Sequence, residues 1–236
     1  MALGADVARA QGAASPTLVE LFTSQGCSSC PPADAFVGEL AKRDDVVALS
    51  LHVNYWDYIG WKDPFASEAT TNRQRAYGER LSRGRVYTPQ MVIDGILHAV
   101  GSDKKAVRRA IAVARAQSPP RLDIGLERTP DGGLVVSVPG GRFDGIATVW
   151  LARYDFEHDT PVARGENAGR TVRNFNVVRD IRQIGSWSGQ PVEIRLPASA
   201  LTQGEGGRDG CVIIVQAEMT GPVLGVRNLM LGDESF

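Results

Sequence analysis

QGCSSCPPAD, residues 25–34, decides how this chain is read. Cys27 and Cys30 stand directly after an apolar run, TLVELFTS, and directly before ADAFVGELAKR, whose apolar spacing predicts a helix. A cysteine at a strand-to-helix junction meets unpaired backbone N–H groups and the positive end of the helix dipole, and both favour thiolate over thiol. The first cysteine of such a pair becomes a nucleophile, and the second lies near enough to expel a mixed disulfide. The same spacing also serves as half of a metal site. Two soft thiolates suit Cu(I), with His52 on the neighbouring strand as a third ligand. A purely structural disulfide gains little by closing so short a loop. Pro31 and Pro32 set the start of the regular helix and leave the CSSC turn just outside it. Cys27, at the mouth of the turn, is expected to be the more exposed sulfur.

Around this stretch, composition narrows the classes. With 236 residues, 43% hydrophobic and 22% charged, the chain can bury one large core or two modest ones. The formal net charge is −1 and both signs are scattered, so no basic stripe offers itself to nucleic acid. No apolar run approaches the roughly 20 residues of a membrane span. Residues 1–16 are small and Ala-rich, and ARA at 8–10 has the form of a signal-peptidase site, although a charged region and a full apolar region are missing. They read as a clipped leader or a flexible N-terminus. With three cysteines the chain is no disulfide scaffold. The leader reading implies an oxidising compartment, periplasmic or secreted, where the pair at 27 and 30 rests as a disulfide.

Helical and strand patterns alternate through residues 17–118. TLVELF and VVALSLHV read as strands, FASEATTNRQRAYGERL as a helix, and PQMVIDG and ILHAVG as a hairpin turning at Asp94 and Gly95. SDKKAVRRAIAVARAQ follows as a helix capped by Ser102. Beyond SPP at 118–120, a stiff linker, residues 121–236 are almost all short strands with Gly, Pro, Asp or Ser between them. The fold class expected is therefore an α/β unit followed by a small all-β, sandwich-like domain.

The order CxxC, helix, strand, helix, Tyr87–Thr88–Pro89, hairpin, helix resembles the thioredoxin fold over residues 17 to about 117. That resemblance implies a cis Pro89 facing the cysteines and a Thr88 backbone open to an extended substrate. It also implies a buried acid that accepts a proton, a place Glu20 takes if one extra residue is allowed; a partly exposed edge-strand glutamate is the alternative. Gly26 stands where thioredoxins carry Trp, so an aromatic platform has to come from elsewhere. The wider chain, through LFTSQGCSSCPPAD, HVNYWDYIGWKDPF, YTPQMVIDG and GENAGRT, resembles a family of secreted bacterial proteins of unknown function that join a thioredoxin-like domain to a β-rich one.

NYWDYIGWKDPF, residues 54–65, gathers five aromatic rings. Tyr55 and Trp56 are expected beside Cys27 as a lip that grips substrate, with Trp61 and Phe65 buried; the alternative is a local core in which the rings pin FASEATTNRQRAYGERL to the sheet and Asp57 and Asp63 cap turns. His52 reads either as a site residue or as a hydrogen-bonded core histidine. His98 and His158 lack metal-ligand spacing, and Cys211 reads as a buried core thiol. Glu166, Asn167 and Arg170 form a polar turn, either solvated or touching the first unit. The reading favoured is an extracytoplasmic thiol–disulfide oxidoreductase or redox-linked chaperone. Cys27 attacks, Cys30 resolves, Glu20 accepts the proton, and Thr88 and Pro89 position a protein substrate. No cofactor is required. The rivals are a Cu(I) module built on Cys27, Cys30 and His52, and a binding scaffold whose disulfide is structural.

Overall fold

The structure is a computed structural model that describes residues 15–117 and 121–232. Residues 1–14 of the stretch read as a clipped leader or flexible N-terminus (1–16), and the linker residues 118–120, lie outside the described residues.

The first half begins with β1 (Thr17–Thr23), α1 (Pro31–Leu40) and β2 (Val46–His52), followed by a 3-10 turn (Asn54–Ile59) and α2 (Glu68–Leu81). It ends with β3 (Gln90–Ile93), β4 (Leu97–Val100) and α3 (Lys104–Gln117). The second half holds β5 (Gly125–Arg128), β6 (Leu134–Val138), β7 (Ala147–Pro161), β8 (Thr171–Trp187) and β9 (Val192–Leu196). It closes with α4 (Ala198–Thr202), β10 (Gly210–Ala217) and β11 (Val223–Met230).

The cap of α3 falls one residue later than expected, because the Asp103 carboxylate, not Ser102, accepts from the N–H groups of Lys105 and Ala106. Ser67 caps α2 by accepting from Thr70 N–H at 3.1 Å.

Residues 121–232 do not form a separate sandwich. The strand order β11-β10-β7-β8-β2-β1-β3-β4 makes one eight-stranded mixed sheet that runs through both halves, and β5-β6-β9 form a smaller sheet. The physical reason is β8: it lies parallel to β2 and bridges it at Ser50 and Val177, so β2 does not end the first unit's sheet.

Alternation along β1 sorts the cores. Val19 and Leu21 meet Phe36, Val37 and Leu40 of α1 and Val107 and Ile111 of α3. Leu18 and Phe22 point the other way, to Tyr77 of α2. The small sheet covers the far half through Val136, Val149, Ile213 and their neighbours. Among the described residues no helix is long and apolar enough to cross a membrane.

Candidate functional site

β1 delivers the chain to the cysteines through tight turns. Cys27 N–H donates to Ser24 O at 3.1 Å and Cys30 N–H to Cys27 O at 3.2 Å. Cys30 is the N-cap of α1 and Pro31 opens the helix, as the sequence requires. Cys27 and Cys30 form a disulfide, and the Ser29 hydroxyl lies 3.3 Å from Cys27 Sγ. Both cysteines are fully buried, 0% exposed, while Ser28 and Ser29 face solvent. The expectation of an open Cys27 is therefore corrected: neither sulfur is exposed, and a loop of the second half bonds the main chain of the same turn.

Thr88 and Pro89 come to the same end of the sheet. Gln90 pairs with Phe22, so the two residues before it run beside the segment leading to Cys27, and the Thr88–Pro89 peptide is cis. Trp56 donates from Nε1 to Thr88 Oγ1 at 2.8 Å. A side chain at Gly26 would put its Cβ 3.3 Å from Trp56 Cβ and 3.1 Å from Ile59, so glycine stands there because the 3-10 turn occupies the space. Trp56 thus touches both strands of the site. Tyr55 packs toward the α2 side with its hydroxyl buried, so that hydroxyl is not open to a substrate as expected. Trp61 is half-buried and donates from Nε1 to Gln25 Oε1 at 3.1 Å, which makes it a support of the cysteine turn rather than plain core.

Glu20 is corrected as proton acceptor. It shares the face of Leu18 and Phe22, opposite α1, where Arg73 Nε donates to Oε1 at 2.6 Å and the Tyr77 hydroxyl to Oε2 at 2.5 Å. Burial works against the Arg73 charge, and the Glu20 carboxylate outweighs it and keeps the guanidinium charged.

The buried acid on the cysteine side is Asp34, which the sequence reading passed over. It follows Cys30 by one helical turn, so the two side chains share a face of α1. Thr23 Oγ1 donates to Asp34 Oδ1 at 2.8 Å, while Oδ2 is buried without a partner. Burial pushes the Asp34 carboxyl up to about 7, against the opposing charge of His52. His52 Nδ1 meets Asp63 Oδ2 at 2.7 Å with both side chains fully buried. Burial works against a charged His52, but the Asp63 carboxylate outweighs it and raises the imidazole; burial likewise opposes the Asp63 charge, and His52 holds that carboxyl low. The pair is ionic. Asp63 also accepts from Gln25 N–H at 2.8 Å and Phe65 N–H at 3.0 Å, so its turn-capping role and its pairing coexist. Phe65 is half-buried between His52, which it meets edge to face, and His158, whose ring is tilted against it. Among the described residues His52 Nε2, Asn174 Nδ2 and Asp34 Oδ2 complete no hydrogen bond, although Asn174 lies close enough to Asp34 to favour its charged form.

The remaining candidates stay outside this cluster. His98 bonds Tyr87 at 2.8 Å and His158 bonds Asp155 at 3.0 Å. Cys211 is fully buried, and burial pushes its thiol up to about 12. Among the described residues no group of three His, Cys, Asp or Glu side chains is arranged to hold a metal ion, and His52 is committed through Nδ1 to Asp63 rather than grouped with the cysteines.

Residues 162–170, the tip of the β7–β8 hairpin, close over the cysteine turn. Asn167 is fully buried and donates from Nδ2 to Gln25 O at 2.9 Å and to Cys27 O at 3.0 Å. Glu166, exposed, accepts from Ser28 N–H at 3.0 Å, and hydrogen bonding from Ser28 holds its carboxyl below the ordinary range. Arg170 donates to Asn167 Oδ1 at 3.3 Å. Of the two readings of GENAGRT, contact with the first unit is the one observed.

With this geometry in hand, known proteins supply a family and a fold. The model of a family described as a protein of unknown function, DUF1223, matches residues 18–216. A crystal structure of an Agrobacterium tumefaciens protein from a structural genomics programme is 32% identical, with a TM-score of 0.81, covering 95% of this chain and 98% of that one. HBP35 of Porphyromonas gingivalis is similar in fold at 12% identity, TM-score 0.60, covering 94% of this chain and 79% of that one. No curated protein matches the chain.

Proposed function

The chain belongs to the DUF1223 family, and for it we propose a thiol–disulfide oxidoreductase of an extracytoplasmic compartment, acting on protein thiols or disulfides through Cys27 and Cys30. The observation that carries this reading is a buried carboxyl, Asp34, titrating near 7 one helical turn behind a disulfide at the start of α1. A purely structural disulfide has no use for such a group. The cis Thr88–Pro89 peptide at the same sheet end and the CxxC, helix, strand order support a thioredoxin-like reading of residues 17–117.

In the reduced protein Cys27 thiolate attacks a substrate disulfide, forming a mixed disulfide and releasing one substrate thiolate. Cys30 then gives its proton to the Asp34 carboxylate, attacks Cys27 Sγ, and releases the second substrate thiolate. The Cys27–Cys30 disulfide forms as the substrate gains two electrons, and the reverse sequence oxidises a dithiol. Asp34 suits either direction because a group near 7 both takes and returns a proton.

The test is the reduction potential of the pair together with reduction of a protein disulfide by dithiothreitol with and without the protein. Catalysis that vanishes in Cys27→Ser, and a mixed disulfide trapped in Cys30→Ser, are the expected results. A potential below about −300 mV with no catalysis in any variant would leave the disulfide structural and end this reading.

A further inference from the structure

We propose that residues 162–170 are an internal stand-in for a substrate polypeptide: they occupy the backbone positions of the CSSC turn and close the disulfide until an extended protein chain displaces them. The inference rests on the oxidoreductase reading and names its substrate class, the main chain of an extended polypeptide.

The contacts copy a peptide. The Asn167 carboxamide donates to Gln25 O and Cys27 O, as backbone N–H groups would, and the Glu166 carboxylate accepts from Ser28 N–H, as a backbone carbonyl would. The three main-chain groups they satisfy lie within four residues around Cys27. All three belong to the turn that follows β1, at the sheet end where Thr88 and Pro89 lead into β3.

The loop is also shaped as one body. Val162 N–H donates to Arg170 O at 2.9 Å and Gly169 N–H to Val162 O at 2.8 Å, which pins the base of the tip. Gly165 has a φ of +77°, and a Cβ there would stand 3.0 Å from Ile59 Cδ1, so glycine lets the tip seat against the 3-10 turn. Asn167 is buried although Glu166 and Ala168 on either side are exposed. The consequence is chemical. Both sulfurs are 0% exposed beside two solvent-facing serines, so an attacking thiolate reaches neither until the tip lifts.

The experiment follows reduction of the Cys27–Cys30 disulfide in the full chain by excess dithiothreitol, which supplies two electrons and two protons and leaves as its cyclic disulfide. Quenching with iodoacetamide and intact mass give the rate. Glu166→Ala should react about fivefold faster, as the loss of one hydrogen bond to a charged group allows, and Asn167→Ala about thirtyfold faster for two lost bonds. Cys211 must stay unlabelled, which separates a lifted tip from an unfolded chain. Glu166 is exposed, so its variant decides the matter alone where Asn167→Ala does not fold. A second arm uses Glu166→Ala/Cys30→Ser, reduced, against a cysteine-containing hexapeptide disulfide and against cystine; peptide mimicry requires the hexapeptide to react at least about tenfold faster, the gain of newly freed backbone pairs. Wild-type reduction rates in Glu166→Ala, acceleration seen only with Cys211 labelling, or equal rates for hexapeptide and cystine overturn the proposal. Faster opening in the variants with no turnover of protein disulfides by any form leaves the closure standing and removes the catalytic reading, so the two fail separately.

Discussion

Glu20 and Asp34 are both fully buried carboxylates, fourteen positions apart, on opposite sides of β1, and their surroundings treat them differently. Glu20 accepts from Arg73 through both oxygens and from Tyr77, and Gln216 of β10 closes the network by accepting from Arg73 at 2.9 Å and donating to the Tyr77 hydroxyl at 2.8 Å. The Arg73 guanidinium also lies over the Tyr77 and Trp150 rings. Of these side chains, Arg73 Nη1 and Trp150 Nε1 complete no hydrogen bond among the described residues. On the other side Asp34, His52 and Asn174 each keep a buried polar atom that completes no hydrogen bond among the described residues. A buried network whose members are satisfied fixes structure, whereas unpaired buried atoms cost free energy and persist where chemistry uses them. The comparison teaches that location next to a motif is a poorer guide to a proton acceptor than incomplete pairing is.

The largest effect should come from breaking the satisfied network. Glu20→Gln leaves the Arg73 charge buried and unpaired, which costs about 3–5 kcal/mol. Urea unfolding at pH 7 reads it. A loss under about 1 kcal/mol, the range of a surface pair, would mean that Arg73 finds other partners and that the contrast with Asp34 is weaker than drawn.

Asp34→Asn should act in the opposite sense. The folded-state value, about 7, lies above the 3.8 of an ordinary Asp, so the folded protein binds the extra proton between those values. Stability linked to that proton is fully present below about pH 4 and is lost as pH rises through about 7. Three units correspond to at most about 4 kcal/mol. The oxidised Asp34→Asn protein should therefore gain stability over wild type at pH 8, and the slope of unfolding free energy between pH 4 and 7 should flatten. An unchanged slope would place the titrating group elsewhere in the cluster.

Much of this was legible beforehand, and the exceptions have physical reasons. The CSSC turn and Pro31 as the first helical residue follow from local chemistry, and the cis Thr88–Pro89 peptide is what the resemblance carried by the order of elements implied. Asp34 carried a readable signal, its one-turn spacing from Cys30, and Glu20 carried a contrary one, its parity with Leu18 and Phe22. His52 was visible, but its partner Asp63 read only as a turn cap. The shared sheet was not legible, because β8 bridges β2 at Ser50 and Val177, 127 positions apart, with no local signature.

Gly38→Ala sharpens the comparison by moving the second cluster as a body. Cys30, Asp34 and Gly38 follow one another at helical spacing on α1, and a Cβ at 38 would stand 2.8 Å from the Phe175 ring of β8, next to Asn174. Overpacking costs about 1–3 kcal/mol, and alanine's better helix propensity returns about 1 kcal/mol. A net loss of about 1 kcal/mol is expected, together with a shifted midpoint in the pH dependence that Asp34 imposes. A stability loss with an unmoved midpoint would show α1 and β8 meeting without coupling to the acid.

The smallest effect belongs to Ser29, the exposed neighbour of the occluded sulfur. Its hydroxyl lies 3.3 Å from Cys27 Sγ, within reach to donate to the thiolate once the disulfide is reduced. A hydrogen bond to the charged form lowers a pKa, and for a solvent-facing donor the gain is at the low end, about one pH unit. Ser29→Ala should raise the Cys27 value by about that much, read from thiolate absorbance at 240 nm in the reduced protein, while unfolding free energy of the oxidised protein stays within about 0.5 kcal/mol of wild type. Such a result assigns the outer side of the turn to tuning the nucleophile and leaves the inner side, with Asp34, to moving the proton. If the thiolate titration does not move, the dipole of α1 and the Asn167 contact to Cys27 O are the influences left on that sulfur, and the division between the two sides of the turn no longer holds.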